Sequence, residues 1–168
     1  MAQEPVEVRV AKLLSARGRT LSVAESCTGG LLGHRLTEIP GSSRFFAGGV
    51  VAYSYEAKER LLKVDPDTLV MCGAVSKEIA VQMARGVRAL LETDYGLAIT
   101  GIAGPGGGMP DKPVGLTYIA LVGVNGLRWR KHIWDGDRSA NKQQSVTAAL
   151  SLLAEVLLEK GRPEGEAV

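Results

Sequence analysis

Three times along this chain a short apolar run, rich in β-branched residues, ends in a cluster of glycine or small polar residues. TLSV (20–23) leads into AESCTGG (24–30), FFAGGVV (45–51) leads into AYSYEAK (52–58), and LAIT (97–100) leads into GIAGPGGG (101–108). Segments with apolar residues at helical spacing lie between and around them. Strand, loop and helix in repeated succession cannot close into a bundle or a sandwich; they need a sheet with helices packed on its faces. The pattern predicts an α/β fold, a three-layer α/β/α domain around a mixed β-sheet.

The periodicity places the elements. Val6, Val10, Leu13 and Leu14 predict a first helix, ended by Arg17-Gly18-Arg19. A short strand is expected over Thr20–Glu25, then a helix from Thr28 to Glu38, stopped by Pro40-Gly41. Phe45–Tyr53 reads as a buried strand and Glu56–Leu62 as a short helix with Pro66 beyond it. Ser76 is placed to cap a helix lined by Ile79, Ala80, Met83, Val87, Leu90 and Leu91, and Leu97–Thr100 forms the next strand. Leu116–Val122 and Leu127–Trp134 flank Asn125-Gly126, a hairpin signal. A last helix covers Ser139–Glu159, with Val146, Leu150, Leu153 and Leu157 on one face, and the tail GRPEGEAV is expected to fray. No repeat or linker divides the 168 residues, so one domain is expected, its core about residues 6 to 160.

Charge and composition exclude several classes. Twenty basic against eighteen acidic residues leave a formal charge of +2, with no basic stripe, so nucleic acid is not an expected partner. No run reaches 18 apolar residues and the start, MAQEPVEVRV, lacks a secretion pattern, so no membrane association and a cytoplasmic location are expected. Cys27 and Cys72 have no metal-ligand spacing, and His34 and His132 stand far apart, so neither a metal nor a cofactor is expected. The exposed-looking hairpin strands leave room for a homodimer.

The chemistry concentrates in the three loops, because ligands of α/β sheets gather beyond the carboxyl ends of strands. GIAGPGGG carries five glycines in eight residues, too many for an ordinary turn, and its amides can cradle an anion, although it lacks the lysine and hydroxyl of a P-loop. In AYSYEAK, Lys58 lies about one turn into the short helix, able to face back to the strand end and act as a base when desolvated, with Tyr53 beside it to relay or orient a proton. In AESCTGG three atoms compete for the role of nucleophile. Thr28 stands where an N-cap would be, Cys27 at a helix start that can lower a thiol pKa, and Ser26 at the strand end. No histidine is placed to serve the thiol, whereas serine with a lysine base needs none. Ser26 is therefore preferred, with Cys27 read as packing and Thr28 as cap or ligand contact. Glu25 is left open, to orient Lys58 or a ligand hydroxyl.

AESCTGG (24–30), PGSS (40–43), VAYSYEAK (51–58), GAVS (73–76), GIAGPGGG (101–108), KPVG (112–115) and GDR (136–138) occur in one order. In them the chain resembles the C-terminal domain of the competence/damage-inducible protein family, CinA, and in particular its stand-alone nicotinamide mononucleotide deamidases. The resemblance spans about residues 6 to 160. It implies hydrolysis of the carboxamide of nicotinamide mononucleotide to nicotinate mononucleotide and ammonia, in pyridine-nucleotide recycling. It places the family's serine on Ser26, its tyrosine and lysine on Tyr53 and Lys58, and the arginine of its GDR motif on Arg138. Substrate contacts are then expected at Glu25, Thr28, Gly29, Gly30, Gly101, Gly104, Gly106, Gly107, Arg138 and Lys142. Two departures stand out: Tyr55 where family members often carry asparagine, and Lys142 where they often carry arginine, which keeps the charge without the bidentate fork. Other members carry a larger N-terminal domain resembling molybdopterin-binding proteins, which has no counterpart in these residues.

Overall fold

The computed structural model describes residues 4–159, so the GRPEGEAV tail lies outside the described residues. Along the chain run α1 (Val6–Arg17), β1 (Leu21–Glu25), α2 (Leu31–Thr37), β2 (Phe46–Val51), α3 (Tyr55–Leu62), α4 (Pro66–Cys72), α5 (Lys77–Leu91), β3 (Tyr95–Gly101), β4 (Leu116–Gly123), β5 (Gly126–Ile133) and α6 (Arg138–Leu158). A 3-10 turn, Ser42–Arg44, precedes β2.

The five strands form one mixed sheet in the order β2-β1-β3-β4-β5. β1 pairs in parallel with β2 and β3, while β4 runs antiparallel to both β3 and β5. Side chains alternate across the sheet. Leu21 and Val23, Leu97 and Ile99, and Ile119 and Leu121 point to one face, where α1, α2 and α6 supply Val10, Leu14, Leu36, Val146, Leu150, Leu153 and Leu157. Ala24, Ala98 and Ala120 point to the other, beneath Ile79, Ala80, Met83 and Val87 of α5 and Leu62 and Leu69 of α3 and α4. The three-layer α/β/α architecture is the one the alternation predicted.

The second face is built for close approach. Ala24 pairs with Ala98 and Ala98 with Ala120, so three small residues lie side by side across the sheet. A Cβ at Gly96 of β3 would stand 2.2 Å from Ala84 O of α5, and one at Gly86 of α5 only 2.0 Å from Leu62 O of α3. Helix, sheet and the neighbouring helix thus meet backbone to backbone.

Several elements differ from expectation. The helix expected from Thr28 begins at Leu31, because Gly29 and Gly30 take left-handed φ values of 60° and 102° and finish a turn first. Helix α4 was not expected. Pro66 does not merely follow α3 but opens α4 at its first turn, where a missing N–H costs nothing, and Asp65 accepts a hydrogen bond from Thr68 N at 2.9 Å as cap. The strand expected to be buried over Phe45–Tyr53 is β2, an edge strand of alternating partial burial. The hairpin turns on Val124-Asn125, with Gly126 already paired to Gly123.

Candidate active site

Parallel pairing decides which loops meet. β1, β2 and β3 all end at one edge of the sheet, so AESCTGG, AYSYEAK and GIAGPGGG emerge side by side. β4 begins and β5 ends at that same edge, which brings the start of α6 there as well. Ser26 continues β1 by one residue, its amide bonded to Ile99 O at 3.0 Å, and Ala52 N closes the other side on Glu25 O at 2.9 Å. Ser26 is 8% exposed.

Lys58 is the side chain that unites the first two loops. Ser54 caps α3 by accepting from Ala57 N at 3.1 Å, which sets Lys58 one turn in. Its side chain folds back to the strand ends and is 1% exposed. Nζ donates to Ser26 Oγ at 2.9 Å, Ala52 O at 2.7 Å and Tyr53 O at 3.3 Å. Burial pulls the ammonium down from its ordinary value to about 8, opposed in part by the nearby Cys27 thiol. Once neutral, the amine keeps two N–H groups for the two carbonyls, and its lone pair is left facing Ser26 Oγ. That is the geometry of a base.

Cys27 faces inward against Gly101, where a Cβ would come within 3.1 Å of Sγ. Burial pushes its thiol up to about 11, with the Glu25 carboxylate adding to the rise against Lys58 and Lys142. A thiol so placed stays protonated at neutral pH.

Thr28 is not the cap of α2. Its hydroxyl donates to Glu25 Oε1 at 2.7 Å, and Glu25 does the capping. The Glu25 carboxylate, 2% exposed, accepts from Leu32 N at 2.8 Å and Gly33 N at 3.1 Å. A carboxylate at a helix start is doubly favoured, by the free amides and by the dipole. Lys58 is not among its hydrogen-bond partners.

Tyr53 reaches Lys58 through its backbone carbonyl. Its phenol instead accepts from Arg138 Nη2 at 3.1 Å, and the ring is 61% exposed. Arg138 Nη1 donates to Gly104 O at 2.8 Å. One guanidinium therefore ties the glycine loop to the Tyr53 loop. Lys142, one turn further along α6, stands over AESCTGG, its Nζ 3.9 Å from where a Cβ on Gly29 would be.

A pocket of about 290 Å³ opens among Ser26, Lys58, Tyr53, Thr100, Gly104 and Arg138, with Gly101, Gly106 and Gly107 also on its wall. Beside it a hollow of about 300 Å³ is lined by Leu31, Arg138, Ser139, Lys142 and Gln143. The charged residues lining the two are Lys58, Arg138 and Lys142, all cationic. Among the described residues the amides of Ala103, Gly104, Gly106 and Gly107, all of residues lining the pocket, give no hydrogen bond to the protein, which leaves donors in the glycine loop. Among the same residues no group of three or more His, Cys, Asp or Glu is arranged to hold a metal.

The site also includes residues to which the sequence reading gave no role, although GAVS (73–76) was among the segments that carried the resemblance. Ala74 and Val75, just before α5, form one wall, and Thr100 donates to Ala74 O at 2.8 Å. Thr100 was within reach of the period-two pattern, since it shares a face with Ala98.

Comparison with known proteins adds kinship. Residues 3–157 match the CinA C-terminal domain. A CinA-like protein from Cyanothece is 54% identical over 152 residues, covering 89% of this chain and 36% of that protein. The chain spans about a third of the length of the curated relatives it matches. Solved structures share the fold, among them two crystal structures. A competence-damaged protein (CinA) superfamily protein from Klebsiella pneumoniae has TM-score 0.90 and 36% identity, with 94% of this chain and 100% of that one covered. The competence/damage inducible protein CihA from Agrobacterium tumefaciens has TM-score 0.86 and 38% identity, with 94% and 98% covered.

Proposed function

The chain belongs to the CinA C-terminal domain family, and from that premise we propose that it is a serine amidohydrolase that cleaves the carboxamide of nicotinamide mononucleotide. The observation that carries the reading is the buried Lys58 Nζ, 2.9 Å from Ser26 Oγ in the wall of a pocket. The resemblance to the stand-alone deamidases supplies the substrate. The cationic hollow beside the pocket suits its phosphate.

In this reading neutral Lys58 takes the proton of Ser26 as Oγ bonds to the carboxamide carbon. The oxyanion forms against backbone amides at the turn that follows Ser26 or in the glycine loop, whose Ala103, Gly104, Gly106 and Gly107 amides are unpaired on the pocket wall. Lys58 returns the proton to the amide nitrogen, the C–N bond breaks and ammonia leaves. Water, deprotonated by the same lysine, attacks the ester; nicotinate mononucleotide departs and Oγ recovers its proton. The phosphate sits toward Arg138 and Lys142. The phenol of Tyr53, bonded to Arg138, serves the substrate's anion before it serves the base.

The test is ammonia release from nicotinamide mononucleotide by the wild-type chain, Ser26→Ala and Cys27→Ala. Turnover by the wild type and by the cysteine variant, with loss of at least about 10³-fold in the serine variant, is expected. Loss confined to Cys27→Ala overturns the choice of nucleophile. Tight binding of the mononucleotide with no ammonia from the wild type would make the chain a nucleotide-binding module instead.

A further inference from the structure

Asn141 lies in the first turns of α6, beneath the glycine loop, and is 2% exposed. Its Nδ2 donates to Ala103 O at 3.0 Å. Its Oδ1 is buried with no partner among the described residues. An unpaired buried carbonyl oxygen is costly, and that cost offsets what the Nδ2 bond to Ala103 O contributes to stability. The carboxamide acts on the loop instead. Ala103 O is held by Asn141, and the next carbonyl, Gly104 O, is held by Arg138 of the same helix. Two successive carbonyls of the loop are thus fastened to α6.

The helix turn that does the fastening is itself fixed. Asp137 caps it, accepting from Ala140 N at 2.8 Å. Ser145 Oγ accepts from Trp134 Nε1 at 2.9 Å and donates to Asn141 O at 2.7 Å. The glycine of GDR makes room for the arrangement: a Cβ at Gly136 would stand 3.1 Å from Asn141 Oδ1 and 2.7 Å from Ala140 Cβ.

We propose that Asn141 is the positioning residue of the anion-holding half of the site, setting the glycine loop against α6 so that its free amides and the Arg138 guanidinium face one ligand phosphate. The assignment rests on the anion half of the reading above and is independent of whether an amide is then hydrolysed.

Binding of inorganic phosphate, followed by chemical-shift titration, tests it without turnover. Asn141→Leu keeps the bulk and removes the donor; Gly136→Ala presses on the same carboxamide from the other side, and stands in should the leucine variant not fold. Each should weaken phosphate binding about tenfold. With nicotinamide mononucleotide each should raise KM about tenfold, leaving kcat and its pH profile within about twofold. In an Arg138→Ala background Asn141→Leu should add little, because the two act through one loop. Phosphate affinity unchanged in both variants, a fall in kcat at constant KM, or full additivity with Arg138→Ala overturns the proposal, as does a wild-type protein that does not bind phosphate. No ammonia from a wild type whose phosphate binding responds as stated removes the amidase reading and leaves Asn141 in its role.

Discussion

At the scale of the residue, Lys58 sets the behaviour of the site. Its pKa is brought down to about 8 because its ammonium is buried without a carboxylate among its hydrogen-bond partners. A base works only when neutral, so kcat/KM should rise with pH along a single limb centred near 8 and level off above it. A limb near 6.5 would point to a histidine and remove Lys58 from the role. The same displacement has a stability consequence. The unfolded chain binds the Lys58 proton up to its ordinary value of 10.5, the folded one only to about 8. Burial of the lysine therefore opposes folding in full below pH 8, and the penalty fades as pH rises from 8 to 10.5. It amounts to a few kcal/mol. Lys58→Met should therefore abolish turnover while raising the denaturant midpoint at pH 7, the gain shrinking by pH 10; a variant less stable than wild type at pH 7 contradicts this.

At the scale of the element, α2 is held from the strand before it. Glu25 collects two amides of α2 and the Thr28 hydroxyl with a single carboxylate. Glu25→Gln keeps the shape but loses charge and one acceptor oxygen, and should cost about 1–3 kcal/mol in a denaturant titration. The pH limb set by Lys58 should not move; a shifted limb would mean that Glu25 acts on the base. Sequence reasoning found the helix but assigned its cap to Thr28, because capping rules look to the residue just before the helix. Nothing local announces a carboxylate reaching across a turn from position 25 to amides at 32 and 33. Helix α4 was missed for a related reason. Asp65-Pro66 reads equally well as a stop and as a start, and only packing of Leu69 onto the second core decides. The elements with long apolar periods, α1, α5 and α6, were legible because a buried stripe leaves its own record in the sequence.

At the scale of the whole molecule, strand order does the assembling. The sequence named the three loops, but not that β1 would lie between β2 and β3 in parallel, which is what puts Lys58 on Ser26. The start of α6 joins them only because β4 and β5 form an antiparallel pair that returns the chain to the same edge. The edge strand β5 carries Arg128, Arg130 and Lys131, the two arginines paired with Glu159 and Glu155 at the end of α6. The layers are equally dependent on spacing. Replacing a helical glycine by alanine ordinarily stabilises by about 1 kcal/mol. Gly86→Ala should do the opposite, costing about 1–3 kcal/mol, since its Cβ would enter the Leu62 carbonyl. A thermal melt at or above that of wild type would show that α3 yields.

The backbone contact of α5 with β3 has a temporal side. With so little side-chain material between them, the helix cannot lift from the sheet by repacking; it leaves only when the sheet does. Amide protons of α5 and β3 should therefore exchange on the clock of global unfolding. Ala74 and Val75, joined to the sheet through Thr100, inherit that slowness. The floor and this wall of the pocket should then be the slowest parts of the site to open. At the opposite rim the tie is a single guanidinium, which holds a tyrosine and a loop carbonyl by one hydrogen bond each and has no such backbone contact behind it.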